Sequence, residues 1–413
     1  MKPSFYNFYK ISDGMVLIYN SASGSCIAIA EAELSAFMEV SLPQNDVEKM
    51  KKFGFYVDDE SDEMDHLICR AYNNLENSKK DKYRILTTTA CNAKCPYCYE
   101  KGVKSYTMTM ETADRIVDFI LEKSNGKKVI EIEWFGGEPL LNKNIIAYVS
   151  DRIDKLKPVN MKYEAAIITN GYLLDKMTVD KLVNEWFVKR IQITLDGMGE
   201  TYENIKQLGE GSFEKVIENI RMLCSYDIEV DIRLNFDENN IDDMQRLIDY
   251  LSTLDFKEKL YIYPAKINDE LRNDNFALEN ESIKMYNMLF SSGLIHAKDL
   301  LPKTMKNPCA ASKKDYFTIN ATGELFKCDR KLLAGNSVGS VYMQHYDDIK
   351  DTSEWELINP EEKCKKCRMF PLCWGGCIYE RIKKMDRCYI TEKIIDNNLE
   401  LILSDLLKRE QYE

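Results

Sequence analysis

Cys91, Cys95 and Cys98 fall within eight consecutive positions, in the run Thr88-Thr89-Ala90-Cys91-Asn92-Ala93-Lys94-Cys95-Pro96-Tyr97-Cys98-Tyr99. Cysteine thiolates are the ligands of iron-sulfur cubanes, and a cubane that only carries electrons takes four of them. Three thiolates in one loop can hold three irons and leave the fourth open to a substrate. A zinc knuckle is the competing use of such a run, and it needs a fourth Cys or His close by. The chain has three histidines, His66, His296 and His345, and none adjoins this loop. Downstream, Gly136-Gly137-Glu138-Pro139 ends a β-branched run, where glycines let backbone carbonyls approach a ligand.

A second set of cysteines occupies the C-terminal third. Thirteen residues separate Cys309 from Gly323 and four more lead to Cys328; then come Cys364-x2-Cys367-x5-Cys373-x3-Cys377 and finally Cys388. The opening Met1-Lys2-Pro3-Ser4-Phe5-Tyr6 carries no apolar signal region, which predicts a cytoplasmic protein. In that compartment thiols stay reduced, so 13 cysteines point to metal ligation rather than disulfides. Lys363, Lys365 and Lys366 place positive charge beside the thiolates and favour their ionised form. A rubredoxin-like or zinc-ribbon tail is the alternative for this stretch.

These residues need elements to position them. From Tyr83 to Gly293, short β-branched runs alternate with amphipathic stretches, the pattern of βα units around a parallel sheet. Strands are predicted at Arg84 to Thr89, Val129 to Phe135, Ala165 to Thr169, Ile191 to Leu195, Val230 to Asn235 and Leu260 to Pro264. Helices between them include Thr112 to Lys123, Phe213 to Ser225 and Asp242 to Leu254. In parallel barrels the chemistry gathers at the C-terminal strand ends, where each motif falls. Arg233 and Asn235, two residues apart on one strand, face the same side.

Residues 1 to 80 read differently. Phe8 to Ile11, Met15 to Tyr19 and Ser25 to Ile29 form three short strands, with Ser21-Ala22-Ser23-Gly24 turning between the last two. Helices are predicted at Glu31 to Val40, Asp46 to Phe53 and Glu63 to Asn77, the last with Met64, Leu67, Ile68, Tyr72 and Leu75 on one face. The acidic run Asp58-Asp59-Glu60-Ser61-Asp62-Glu63 reads as a solvated helix start. Asn268 to Lys306 reads as a helical bridge to the cysteine-rich tail. The chain is 413 residues long, 45% hydrophobic and 30% charged, enough for two or three domains. A net charge of -12 argues against general nucleic-acid binding, which needs a basic surface. The longest apolar runs, such as Met15 to Tyr19, fall short of the roughly 18 residues of a membrane span.

The three-cysteine run with Gly136-Gly137-Glu138-Pro139 resembles the radical S-adenosylmethionine (SAM) superfamily, and the seven-cysteine tail resembles its SPASM extension. The resemblance covers residues 83 to 390. It implies an α/β fold: a partial (β/α)6 TIM-like barrel at 81–295 and a SPASM iron-sulfur domain within 296–413. The 1–80 segment resembles, in topology alone, the winged-helix-like domain that captures leader peptides in enzymes modifying ribosomally made peptides. A plain packing extension is the other reading.

The resemblance also implies cofactors and contacts. SAM would bind the open iron held by Cys91, Cys95 and Cys98, the first of three 4Fe-4S clusters. Gly136, Gly137 and Glu138 would hold its amino group, and Tyr97 would contact adenine. Thr194, in Thr194-Leu195-Asp196-Gly197, would reach the ribose with the hydroxyl that Ser supplies in relatives. Arg233 and Asn235 would contact the carboxylate and ribose, the Arg fork suiting a carboxylate; a structural ion pair or cap is the alternative. Thr169-Asn170-Gly171 is expected to be a turn facing the site.

Of the auxiliary ligands, Cys364, Cys367, Cys373 and Cys388 would hold the outer cluster, and Cys309, Cys328 and Cys377 the inner one. The inner set is one short, with Asp315 six positions after the first cysteine. Its last iron is therefore open to a peptide thiolate, or Cys26, Cys69 or Cys224 completes it. Asp329 would act as a base or orient backbone amides. The implied activity is a peptide maturase forming Cys thioether crosslinks with a 5'-deoxyadenosyl radical. Formylglycine formation, as in sulfatase maturases, is the alternative, with carbon-carbon crosslinking, epimerisation and excision also open; a non-catalytic peptide-binding scaffold is the reading from another class. Implied partners are a precursor peptide with its leader and a low-potential electron donor such as flavodoxin or ferredoxin, with neither nucleic acid nor membrane.

Overall fold

The structure, a computed structural model, describes all residues except 61, 103, 268–274, 306–308, 333–335, 357–359, 386, 387, 389 and 411–413. The chain forms two compact units, each assembled from separated stretches. One comprises residues 1–77, 273–312 and 357–413; the other comprises 78–272 and 313–356.

In the first unit, β1 (Lys2–Pro3) pairs with β5 (Tyr56–Val57), while β2 (Asn7–Ser12), β3 (Met15–Asn20) and β4 (Cys26–Ala30) form an antiparallel sheet in that order. The β2–β3 connection is Asp13-Gly14, both at positive φ, as a two-residue hairpin of matching twist requires. The helix expected from Glu31 starts as a single 3-10 turn and becomes α1 (Leu34–Met38); it stops where Val40 turns left-handed ahead of Pro43. α2 (Gln44–Lys52) and α3 (Glu63–Glu76) follow. Val16, Ile18, Phe37, Val47, Phe55 and Tyr56 make a core between sheet and helices. Asp62 caps α3 by accepting from Asp65 N, so the acidic run does begin a helix. The buried stripe of α3 is Met64, Leu67, Ile68, Ala71 and Leu75; Tyr72, expected in it, is 42% exposed. A 3.6-residue period carries the stripe through Ala71 and leaves its neighbour beside it.

The second unit holds β6 (Lys80–Thr88), β7 (Val129–Gly136), β8 (Lys162–Thr169), β9 (Val188–Leu195), β10 (Glu229–Phe236) and β11 (Leu260–Lys266). All six expected strands are present, parallel and in sequence order. Between them lie α4 (Met110–Lys123), α5 (Lys143–Leu156), α6 (Lys176–Asn184), α7 (Glu200–Lys206), α8 (Ser212–Leu223) and α9 (Ile241–Ser252). One face of the sheet is apolar and buried, with Ile85, Ile130, Ile132, Trp134, Ile191, Ile193 and Ile232; Ile116, Ile146, Val179, Ile220 and Ile248 supply the matching helix faces.

The other face is charged. Lys82 donates to Glu133 Oε1 at 2.8 Å, Arg84 Nε to Glu133 Oε2 at 2.6 Å, and Lys80 pairs with Glu131 and Glu164. Burial opposes ionisation of Glu133, but Arg84 and Lys82 outweigh it and hold the carboxyl down at about 2.

Beyond β6 the sheet continues with β12 (Phe317–Ile319), parallel to β6, then β13 (Glu324–Phe326) and β14 (Gly339–Ser340), both antiparallel. Lys313 locks this extension in place, bonding Asp81 Oδ1 at 2.7 Å, while Asp81 is fully buried. Nothing in the periodicity of these short runs marked them as sheet. The rest of the first unit is helical: α10 (Asn275–Ser291), α11 (Ala297–Leu300), α12 (Glu362–Lys365), α13 (Phe370–Cys373), α14 (Ile378–Ile382) and α15 (Glu392–Glu410). The expected 268–306 bridge is thus two helices, with 268–274 and 306 outside the described residues. Among the described residues no helix is long and apolar enough to cross a membrane.

Candidate active site

The cysteine run leaves the C-terminal end of β6 and is held there by backbone pairing. Gly137 N donates to Thr88 O at 3.1 Å and Glu138 N to Ala90 O at 2.9 Å. A Cβ on Gly136 would lie 2.2 Å from Thr88 O, and one on Gly137 2.3 Å from Ala90 O. Gly136 also has φ +122°. The two glycines are therefore required for the β7 end to approach the chain entering the cysteines. Glu138 is fully buried and receives Leu140 N, Thr169 Oγ1 and Asn170 N at 2.8 to 3.0 Å. Burial pushes its carboxyl up, against the pull of those donors. Its acceptors are spent joining the ends of β7 and β8, which gives it a clamping part that the motif did not announce.

Within the loop, Cys91 feels the charge of both Cys95 and Cys98. Ala93 N donates to Cys91 Sγ at 3.3 Å. Asn92 Oδ1 accepts from Asn170 Nδ2 at 2.8 Å, which places the Thr169-Asn170-Gly171 turn against the loop. Asn92 Nδ2 is buried with no hydrogen-bond partner in the structure. An unfilled donor costs free energy unless something accepts it. Among the described residues no three Cys, His, Asp or Glu side chains close around one point as they would on a single metal ion.

Tyr97, Arg233 and Asn235 are brought together. The Tyr97 hydroxyl donates to Asp196 Oδ1 and accepts from Lys206 Nζ and Asn235 Nδ2, both at 3.2 Å. Arg233 Nε donates to Asn235 Oδ1 at 2.9 Å. Thr194 is level with Arg233 in the β9–β10 register, on the same face. Asn240 Nδ2 closes the cluster from below, bonding Asp196 O at 2.7 Å and Asn235 O at 2.9 Å. Burial pushes the Tyr97 hydroxyl far up, so it keeps the proton it donates. Lys206 and Asp196 form an ion pair at 2.8 Å, 4% and 0% exposed respectively. Burial would strip the Lys206 proton, but Asp196 outweighs it and keeps the ammonium charged. Lys206 belongs to none of the motifs, yet it stands four residues after buried Tyr202 on one face of α7, where a lysine is out of place.

Asp329 is tied to the same loop. Tyr99 OH donates to its Oδ2 at 2.8 Å, and Arg84 NH1 lies 2.9 Å from that atom. Cys328 Sγ is 3.6 Å from its Oδ1. Close by in charge, Glu100 has both carboxylate oxygens buried without a hydrogen-bond partner in the structure. Burial, with Asp329 adding to it, pushes Glu100 up to about 7.

The first unit contains Cys364, Cys367, Cys373 and Cys388, the four cysteines expected to hold the outer cluster. Burial pushes the Cys373 thiol up to about 11. Cys364, at α12, leads by a short turn to Cys367, and α13 ends at Cys373 with Trp374 in a left-handed cap. Phe370 and Trp374 are buried against Tyr6, Leu67 and Ala71. Of the remaining three, Cys309 and Cys377 belong to the first unit and Cys328 to the second. Cys26 and Cys69 lie in the first unit and Cys224 in the second, where it is buried.

Residues 85–251 match the Radical SAM superfamily. A cysteine-type anaerobic sulfatase-maturating enzyme of Clostridium perfringens (strain 13 / Type A) is 25% identical over 333 residues, covering 72% of this chain and 89% of the relative. Among solved structures, native anSMEcpe with bound AdoMet and Cp18Cys peptide aligns with TM-score 0.62 at 19% identity, covering 81% of this chain and 100% of the other. Streptococcus suis SuiB bound to precursor peptide SuiA aligns with TM-score 0.52 at 13% identity over 95% of this chain and 99% of the other. These two likenesses concern the fold. The superfamily match spans the parallel strands from β6 to β10 and the cysteine loop between them, and the chain carries a radical SAM domain and is an enzyme.

Proposed function

We propose that the protein is a radical SAM maturase acting on a ribosomally made peptide, and that it joins a substrate cysteine sulfur to carbon in a thioether crosslink. The observation that supports the reading best is the polar cluster around Tyr97, at the strand ends beside the cysteine run. It offers a carboxylate-binding Arg233, the Asn235 amide and the Thr194 hydroxyl on one face. Cys91, Cys95 and Cys98 would hold a 4Fe-4S cluster. Cys364, Cys367, Cys373 and Cys388 would hold an outer auxiliary cluster, and Cys309, Cys328 and Cys377 an inner one with three protein ligands. When bound, clusters and SAM would supply an electron and a 5'-deoxyadenosyl radical that takes hydrogen from an unactivated substrate carbon. Residues 1–80 would receive the leader as a winged-helix-like domain, and a low-potential carrier such as flavodoxin or ferredoxin would deliver electrons.

A second reading has its own support. Asp329, held by Tyr99 and Arg84 next to Cys328, would be the base in making a formylglycine, and the Clostridium perfringens relative is named a sulfatase-maturating enzyme. Anaerobic reconstitution with SAM, a strong reductant and a cysteine-bearing peptide encoded beside this gene separates the two by mass spectrometry. A thioether loses two hydrogens per crosslink, blocks the thiol and keeps the sulfur; formylglycine expels sulfur. Peptide recovered unchanged while deoxyadenosine accumulates would eliminate both. Cys95→Ala should lower bound iron by about one third, since one of three cubanes loses a ligand, and should abolish deoxyadenosine.

A further inference from the structure

The N-terminal segment contributes to two cores in the first unit. Val16 and Ile18 of β3, Phe37 of α1, Val47 of α2 and the Phe55-Tyr56 stretch make one. α3 turns its stripe to the other, where Leu67 and Ala71 are buried with Tyr6, Phe370 and Trp374, and where Met64, Ile68, Leu75 and Cys364 pack against them. Of the aromatic rings buried there, Phe370 and Trp374 belong to the cysteine segment. Glu63 ties the first turn of α3 to the N-terminus, accepting from Ser4 Oγ at 2.5 Å and Phe5 N at 2.8 Å. The body of the helix depends on its stripe, because a helix of 14 residues with no partner for its apolar face is marginal in water.

The partner of that stripe is the segment that carries the ligand candidates. Phe370 opens α13 and Cys373 closes it, with Trp374 next in the chain. Cys367 N donates to Cys364 O at 3.2 Å, and Cys364 Sγ is 3.6 Å from where a Cβ on Gly375 would stand. The residue after Cys367 is fixed to the N-terminal sheet as well. Arg368 NH1 donates to Asn7 O at 3.2 Å, its guanidinium lies 4.6 Å from the centre of the Phe8 ring, and its carbonyl accepts from Ser21 Oγ at 2.6 Å. The spacers between Cys364, Cys367 and Cys373 therefore touch β2, the turn after β3, and α3. Four thiolates are the donor set of a closed cubane, and a metal site assembled from separated stretches lends its binding free energy to the fold around it.

We propose that the outer cluster seats α3: iron held by Cys364, Cys367, Cys373 and Cys388 fixes Phe370 and Trp374, and these two rings hold the helix in place. The domain read as the receptor of the leader is then complete only when the outer cluster is loaded, so its assembly is conditional on iron. The inference rests on the reading of these four cysteines as cluster ligands and of residues 1–80 as that receptor.

Hydrogen exchange of the full chain, reconstituted anaerobically and read by mass spectrometry beside an iron assay, tests this. Cys373→Ala should lose about one third of the iron. The amides of Leu67 to Leu75 should then exchange at least about tenfold faster, while those of β2 and β3 keep their protection. Unchanged protection of α3 with that iron gone overturns the proposal and leaves the cluster assignment standing. Iron content unaffected by Cys373→Ala overturns the assignment, and the proposal with it. Where Cys373→Ala also strips the protection of β2 and β3, Leu67→Ala decides, since it keeps every cysteine. Linked equilibria are reciprocal, so this variant should yield the outer iron to a competing chelator at lower concentration than the unaltered protein does; release at the same concentration overturns the proposal.

Discussion

At the scale of single residues, Asp329 shows how much a neighbourhood decides. Its carboxylate is fixed from two sides, by the Tyr99 hydroxyl at 2.8 Å and Arg84 at 2.9 Å. An aspartate so held is fixed in position. Asp329→Asn keeps the size and an acceptor for Tyr99 but removes the proton-accepting charge. Under the base reading, deoxyadenosine should still form while peptide product falls by roughly 10²-fold or more. Parallel loss of both, measured by chromatography of the two products, would make Asp329 a structural residue.

At the scale of elements, the contact between the β7 end and the cysteine loop is backbone against backbone. Gly137→Ala would put a methyl 2.3 Å from Ala90 O, which nothing flexible can relieve. The loop must shift, so the variant should fold with reduced melting temperature and lose the iron of the first cluster, read by iron assay against circular dichroism. The charged face of the sheet gives a pH signature. Glu133 is held down at about 2 from an ordinary 4.5 by Arg84 and Lys82, after burial has acted against it. A depressed carboxyl contributes stability that is complete above about 4.5 and is lost as pH falls toward about 2. The stability gap between the unaltered protein and Glu133→Gln should therefore be widest near neutrality and narrow as pH falls through that window, in denaturant titrations; a gap independent of pH would remove the ion pairs from the account.

At the scale of the whole molecule, the first unit is assembled from segments far apart in sequence. Trp374, beside the Cys373 ligand candidate, is buried with Phe370 against Tyr6, Leu67 and Ala71, and its indole donates to Met305 O at 3.0 Å. Trp374→Ala should cost about 3–5 kcal/mol by the cavity it leaves and should loosen the cysteine quartet. The expected result is loss of auxiliary iron with the first cluster retained; an iron content equal to that of the unaltered protein would show that the quartet holds itself together.

Much of this was legible beforehand, because its causes are local. Ligand spacing along one loop, apolar alternation along a strand and the stripe of an amphipathic helix are all written within a few residues. Hence the three-cysteine run, the six parallel strands and the three N-terminal strands could be read directly from the chain. The extension by β12, β13 and β14 could not, since runs of two or three residues carry no period and become strands only by pairing with β6 and one another. The same holds for Lys206, Asn92 and Tyr99, whose meaning lies in partners up to 230 residues away, and for Glu138, whose acceptors are claimed by β8. Residue types and their spacing along the chain determined which chemistry this protein can host. The tertiary structure decided which groups face that chemistry, because charge and burial act through space and are indifferent to order along the chain.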